Sequence, residues 1–232
     1  MGNVLYLFYC NSREKVEEAF RAELPNYAQD DFTAALRDEP EAGLSLCCSA
    51  PPSLRGELAV FFFVRLRHTQ AFRDVFAHAW EMNHREVIEA VGTRCDLEAM
   101  FQAASFPIPD EWSDRVTIYR GTSFLPFEKS KRGFSWTMDK RVAAFFAMRF
   151  ALLNGNPLVL KATVPKSSIL FYSDGRSERE AICFHVRGAQ VDGTPDEWEK
   201  LFDDFSAQRK AELHVMLDEA KAKREQATLI PP

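Results

Sequence analysis

The chain has 232 residues, of which 46% are hydrophobic and 27% charged, with 20 Phe; this is the balance of a globular protein with ample core material. No apolar run reaches the roughly 18–20 residues of a membrane helix. The opening "MGNVLYLFYC" lacks the basic flank and small-residue cleavage site of a signal peptide, and it has Tyr6 where a myristoylation signal needs Ser or Thr.

The five cysteines (Cys10, Cys47, Cys48, Cys95 and Cys183) are odd in number and form no C-x-x-C. Reduced thiols and a cytoplasmic location are therefore expected, with no disulfide framework. The five histidines show no ligand spacing, so no metal site is expected. The net charge of −5 is unevenly spread. Residues 1–111 hold 10 basic and 18 acidic side chains, residues 112–190 hold 13 and 6, and residues 191–232 hold 6 and 10. A basic island between acidic flanks has two readings. It attracts a polyanion or a pyrophosphate, or the flanks fold back and neutralise it.

The first hundred residues read as helices. "SREKVEEAF" sets Val16, Ala19 and Phe20 on one face, and Pro25 ends the run. A long apolar stretch follows, opened by Ser53 with Glu57 near its first turn. "NHREVIEAVG" has Asn83 as N-cap, Glu86 completing a capping box, and Gly92 as the stop. "DLEAMFQAA" is one more short helix. "FPIPDEWSD" (106–114) has two prolines and no period, the mark of a linker.

Beyond it the period changes. "RVTIYRG", "GFSWT", "PLVLKATVP", "SILFYS" and "EREAICFHVRG" read as strands. One helix interrupts them, capped by Asp139 and stopped near Gly155. The tail restarts as a helix, with Thr194 as cap, Pro195 at the first position and Glu197 at the third. The expected class is α+β, with a helical region over 1–111, a β-rich core over 112–191 and a helical tail over 192–232.

The chemistry-bearing motif is "SEREA", with Glu178 and Glu180. On a strand, residues two apart share one face, so the two carboxylates are expected side by side with Arg179 turned away. Upstream, Arg120 ends one strand and Ser135-Trp136-Thr137 ends another. This ordered set resembles the mono-ADP-ribosyltransferases of the Arg/Ser-Thr-Ser/Glu-x-Glu class, the cholera-toxin-like and C2/C3-toxin-like branch. The resemblance spans roughly residues 114–190 and leaves out the helical first half and the tail. Trp136 stands where a small residue or Thr is more usual, and Thr137 replaces the final Ser.

The resemblance implies a split β-sandwich core and an enzyme that moves ADP-ribose from NAD+ to a macromolecule without a metal. It implies Glu180 stabilising the oxocarbenium-like ribose, Glu178 orienting or deprotonating the acceptor, and Arg120 holding the pyrophosphate. It also implies Gly121 allowing close approach to the nucleotide, Ser135 bracing the catalytic Glu and Thr137 ordering the pocket floor. Trp136 and Phe145 would border the nicotinamide. For the helical Phe residues, plain core packing is the other reading.

Phe171, Tyr172 and Arg176, in the loop before Glu178, would meet the target; a hairpin on Asp174-Gly175 explains the same loop. Glu-x-Glu goes with arginine acceptors in that family. A nucleic-acid base is the alternative acceptor, and a catalytically silent interaction module is the second alternative. By family analogy the chain is a toxin or anti-phage effector, acting in its own cytoplasm or delivered into a target cell, with an antitoxin as inhibitory partner.

Overall fold

The computed structural model describes residues 12–228; the opening stretch, Cys10 included, lies outside the described residues. The chain divides into two units, Met1–Ile108 and Pro109–Pro232. The break falls inside the proline-rich linker. Residues 192–232, expected as a separate tail, belong to the second unit.

The described part of the first unit is helical: α1 (Arg13–Glu23), α2 (Gln29–Leu36), α3 (Ala42–Ser49), α4 (Pro52–Leu66), α5 (Gln70–Val91) and α6 (Arg94–Ala104). Ser12 caps α1, accepting from the Lys15 amide, and Val16 and Phe20 are buried. Ala19, expected on that face, is exposed. Phe rings build the core. Phe61 meets Phe20 at 4.9 Å and Phe32 at 5.5 Å, and Phe76 meets Phe101 at 4.7 Å. Burying such a side chain stabilises by about 1.5–3 kcal/mol.

The long apolar stretch is two helices. Pro51 precedes the first, so Ser53 does not open it, and Thr69 caps the second. Asn83 marks the junction of two helical segments within α5, which kinks there at the non-helical φ −142° and ψ 41°. Its side-chain oxygen accepts from Arg55 Nη1 at 3.0 Å rather than from its own helix. Gly92 ends α5 with φ 79°.

The second unit carries β1 (Arg115–Thr122), α7 (Phe127–Ser130), β2 (Ser135–Thr137), α8 (Lys140–Met148), α9 (Ala151–Asn154), β3 (Leu158–Pro165), β4 (Phe171–Ser173), β5 (Glu180–Ile182), β6 (Gln190–Val191) and α10 (Pro195–Thr228). The strands form one antiparallel sheet in the order β4-β5-β2-β1-β3-β6. Pairing runs through all six, so the split of the expected sandwich is not a break in the ladder. The narrowest joint is β1–β2, registered at Tyr119↔Thr137, against eight register pairs in β1–β3.

The helix expected between Asp139 and Gly155 is two, α8 and α9. Asp139 Oδ1 accepts from the Arg141 amide at 2.8 Å as its cap, and Gly155 closes α9 with φ 65°. Helix α7 and strand β6 have no signal in the sequence pattern; each is too short for a period.

Helix α8 lies on β1. A Cβ at Gly121 would come within 1.7 Å of the Ala143 carbonyl oxygen, so only a glycine lets strand and helix approach this closely. On the other side α8 meets α10. Trp198 is buried with Ala143, Ala144, Ala147 and Val159, and Phe202 stacks on Phe145 at 5.6 Å and 12°. The capping box at Thr194 and Glu197 forms as expected, with bonds of 3.2 and 3.4 Å. Among the described residues no helix is long and apolar enough to cross a membrane.

Candidate active site

Of the residues singled out by the motif, Glu180 lies on β5, Ser135 to Thr137 on β2 and Arg120 on β1, three adjacent strands. Register partners in the β2–β5 pair are Thr137↔Glu180 and Ser135↔Ile182. Directly opposed residues share a face, so Ser135, Thr137 and Glu180 point the same way, with Trp136 on the other side. Ser135 Oγ donates to Glu180 Oε1 at 2.6 Å. Both residues are half-buried, so the carboxylate is oriented by a short charge-assisted bond and still reachable.

Arg120 leaves β1 where the β1–β2 register ends. Its Nη1 donates to the Ser135 carbonyl, and its guanidinium lies in the space a side chain at Gly133 would fill, 2.1 Å from that Cβ. One guanidinium thus ties β1 to the backbone of the residue that holds Glu180.

Glu178 is not where strand geometry put it. Strand β5 begins at Glu180, and Glu178 follows the 3₁₀ turn Gly175–Ser177 with φ −89° and ψ −17°. Ser177 and Arg179 on either side are left-handed, at φ 56° and 47°. Each such non-glycine residue costs roughly 1–2 kcal/mol, so the loop must be tied down. Thr137 Oγ1 donates to the Glu178 carbonyl at 2.6 Å and accepts from the Asp139 amide at 3.1 Å. The Met138 amide donates to the Arg179 carbonyl at 3.0 Å. A hydrogen bond to Tyr172 raises the pKa of Arg179, with Asp174 and Asp139 adding to it. Alternation in a strand cannot describe this segment, because it is a turn.

The remaining assignments separate in the same way. Trp136 is buried at 2% exposure, and its indole N–H donates to the Gly133 carbonyl at 3.0 Å; it lies on the side of the sheet away from Ser135 and Glu180. Gly121 faces the backbone of α8 at Ala143 and Ala147. Phe145 is half-buried and packs against Phe146, Phe202 and Phe205 at 5.5–5.7 Å, nearer the packing reading. Phe171 is buried at 4%, and Tyr172 is set edge-on to Trp112 at 4.7 Å. Neither is presented to a target as expected; both hold the β4–β5 hairpin, whose loop does turn at Asp174-Gly175. The side chain of Arg176 lies outside the described residues.

Pattern reading missed Arg149. It ends α8, and its guanidinium carbon lies 4.5 Å from the Phe146 ring centre and 4.8 Å from that of Phe150. Burial lowers its pKa against the pull of Glu178. The signal available in sequence was the run Phe-x-x-Arg-Phe at the helix end. Among the described residues no group of three or more His, Cys, Asp or Glu side chains is placed to hold a metal ion.

No family model, no curated protein and no solved structure matches this chain.

Proposed function

We propose that the second unit transfers ADP-ribose from NAD+ to a macromolecular acceptor, a protein arginine, and releases nicotinamide. One observation carries the reading. The Ser135 hydroxyl orients the Glu180 carboxylate at 2.6 Å, on a strand whose backbone Arg120 grips from the neighbouring strand. An oriented, half-buried carboxylate, with a guanidinium bonded to the backbone of the residue that orients it, suits a ligand that is cationic at one end and a pyrophosphate at the other.

NAD+ supplies the ribosyl group and a leaving group that departs neutral. Glu180 stabilises the positive charge that grows on the ribose. Ser135 keeps that carboxylate in one rotamer, so little reorganisation is needed when the charge appears. Arg120 holds the pyrophosphate while bracing β1 to β2. Glu178, on its tethered turn, takes the proton from the acceptor. Trp136, Gly121 and Phe145 have no direct part, since each packs the fold. Acceptor choice favours arginine over a nucleic-acid base. The two loop aromatics that would stack on bases are engaged elsewhere, Phe171 buried in the sheet and Tyr172 set edge-on against Trp112.

The test is incubation of the purified chain with NAD+ and agmatine. Nicotinamide release and labelled agmatine are expected, and Glu180→Gln should lower release by about 10²-fold, or about 3 kcal/mol. Absence of release by the native protein would sink the reading in favour of a catalytically silent interaction module. Release with label only on nuclease-sensitive material would move the acceptor to a nucleic-acid base.

A further inference from the structure

We propose that the surface where the end of β1 meets the end of α8 binds single-stranded nucleic acid as a partner, independently of the transfer reading. Two large rings lie open there. Phe124 is 57% exposed and Phe150 38%, and their ring centres are 5.8 Å apart at 41°. The backbone beneath them is tied. Ser123 Oγ donates between the carbonyls of Phe146 and Ala147, at 3.0 and 2.7 Å, which fastens the residue before Phe124 to the helix that leads to Phe150. Rings fixed in this way meet a base with little ordering left to do.

Arg149 stands beside them. It is exposed, and its guanidinium carbon lies 4.5 Å from the ring centre of Phe146 and 4.8 Å from that of Phe150. Ring faces position a guanidinium by its plane and leave its N–H edge for a phosphate. Among the described residues no hydrogen bond or ion pair engages that edge.

Further cations flank the rings. Helix α7 folds back on the segment that carries Phe124: Ser130 Oγ lies 2.8 Å from Thr122 Oγ1 and donates to the Leu125 carbonyl at 3.0 Å. Lys129 and Arg132 are exposed beside it, and Lys131 lies over the Phe127 ring at 5.3 Å. Residues 123–134 hold one acid, Glu128, and it pairs with Lys131 at 2.8 Å. Elsewhere the basic island neutralises itself, Lys140 with Asp192 and Arg141 with Asp139, each at 2.7 Å. Open rings for bases, with cations around them for phosphates, are what hold a single strand. A protein-binding patch would be poor in lysine, and a duplex hides its base faces.

The experiment follows the fluorescence anisotropy of a labelled oligouridylate of about 12 nucleotides as the full chain is added, without NAD+. Saturable binding is expected at low salt. Its log K should fall with log salt at a slope of about −2, as for three phosphate contacts. Phe124→Ala should weaken binding about tenfold, and Phe124→Tyr, which keeps the ring, should not. Arg149→Gln should weaken binding and make the slope shallower by about 0.7. A strand without bases, or a duplex of the same length, should bind at least about tenfold more weakly. Equal binding of the base-free strand, or an unchanged affinity in Phe124→Ala, overturns the inference and leaves a charged surface only. Displacement by uridine monophosphate at matched nucleotide concentration overturns it in favour of a free nucleotide. No binding of any strand overturns it outright, and none of these results bears on nicotinamide release.

Discussion

Ser135 Oγ donates to Glu180 Oε1 at 2.6 Å although the two are not register partners, for Ser135 opposes Ile182 and Glu180 opposes Thr137. The bond is a diagonal across two strands. It exists only because both side chains stand on one face and Ser is short enough to reach along it. A hydrogen bond to a charged group contributes about 1.5–3 kcal/mol. Ser135→Ala should therefore lower kcat for nicotinamide release by about 10- to 100-fold with a smaller change in KM. Ser135→Thr keeps the hydroxyl and should restore part of the rate. Equal rates for the Ala and Thr variants would show that the hydroxyl does not act through Glu180.

Thr137 joins the Glu178 turn to the cap of α8 through one hydroxyl. Thr137→Val keeps shape and removes both bonds. With two left-handed residues in the turn, the loop should relax once the bonds are gone. We expect transfer to agmatine to fall by about tenfold and nicotinamide release by less, since a loosely held acceptor residue loses proximity first. Parallel loss in the two assays would separate Glu178 from acceptor handling.

Gly121 is a packing glycine. Gly121→Ala would set a methyl 1.7 Å from the Ala143 carbonyl oxygen and 2.8 Å from the Ala147 amide nitrogen. Both are backbone atoms and cannot turn aside. Overpacking of this kind costs about 1–3 kcal/mol, and the second unit should melt several degrees lower in calorimetry. An unchanged melting temperature with weakened NAD+ binding would return Gly121 to the nucleotide.

Asp139 sets an acid limit. Burial alone would raise its pKa, but the hydrogen bonds and charge of Arg141 outweigh it and hold the carboxyl below the ordinary Asp range. A carboxylate depressed in the folded state adds stability above its unfolded value of about 3.9, and that part is lost as pH falls through the folded value. Stability should therefore decline below about pH 4, and less steeply in Asp139→Asn. Identical acid limbs in urea titrations of the two proteins would remove Asp139 from that account.

Chain chemistry alone determined a good deal here. The linker at residues 106–114, the cap at Asp139, the capping box at Thr194 and the stops at Gly92 and Gly155 follow from local hydrogen bonding and backbone freedom, which a few adjacent residues control. The α+β class followed from the change of period after the linker. The choice of Ser135 and Glu180 as a pair came from motif order, and the hydrogen bond between them joins residues 45 positions apart.

Tertiary structure decided the rest, for reasons no window of sequence contains. Glu178 left the strand because Thr137 and Met138 capture the carbonyls of 178 and 179 from another strand. Trp136 became core on the far side of β2, and Phe145 packs on Phe202 and Phe205 because α10 lies against its helix. Gly121 came against a helix because α8 folds back on β1, and convergence of distant segments is set by packing and not by spacing along the chain.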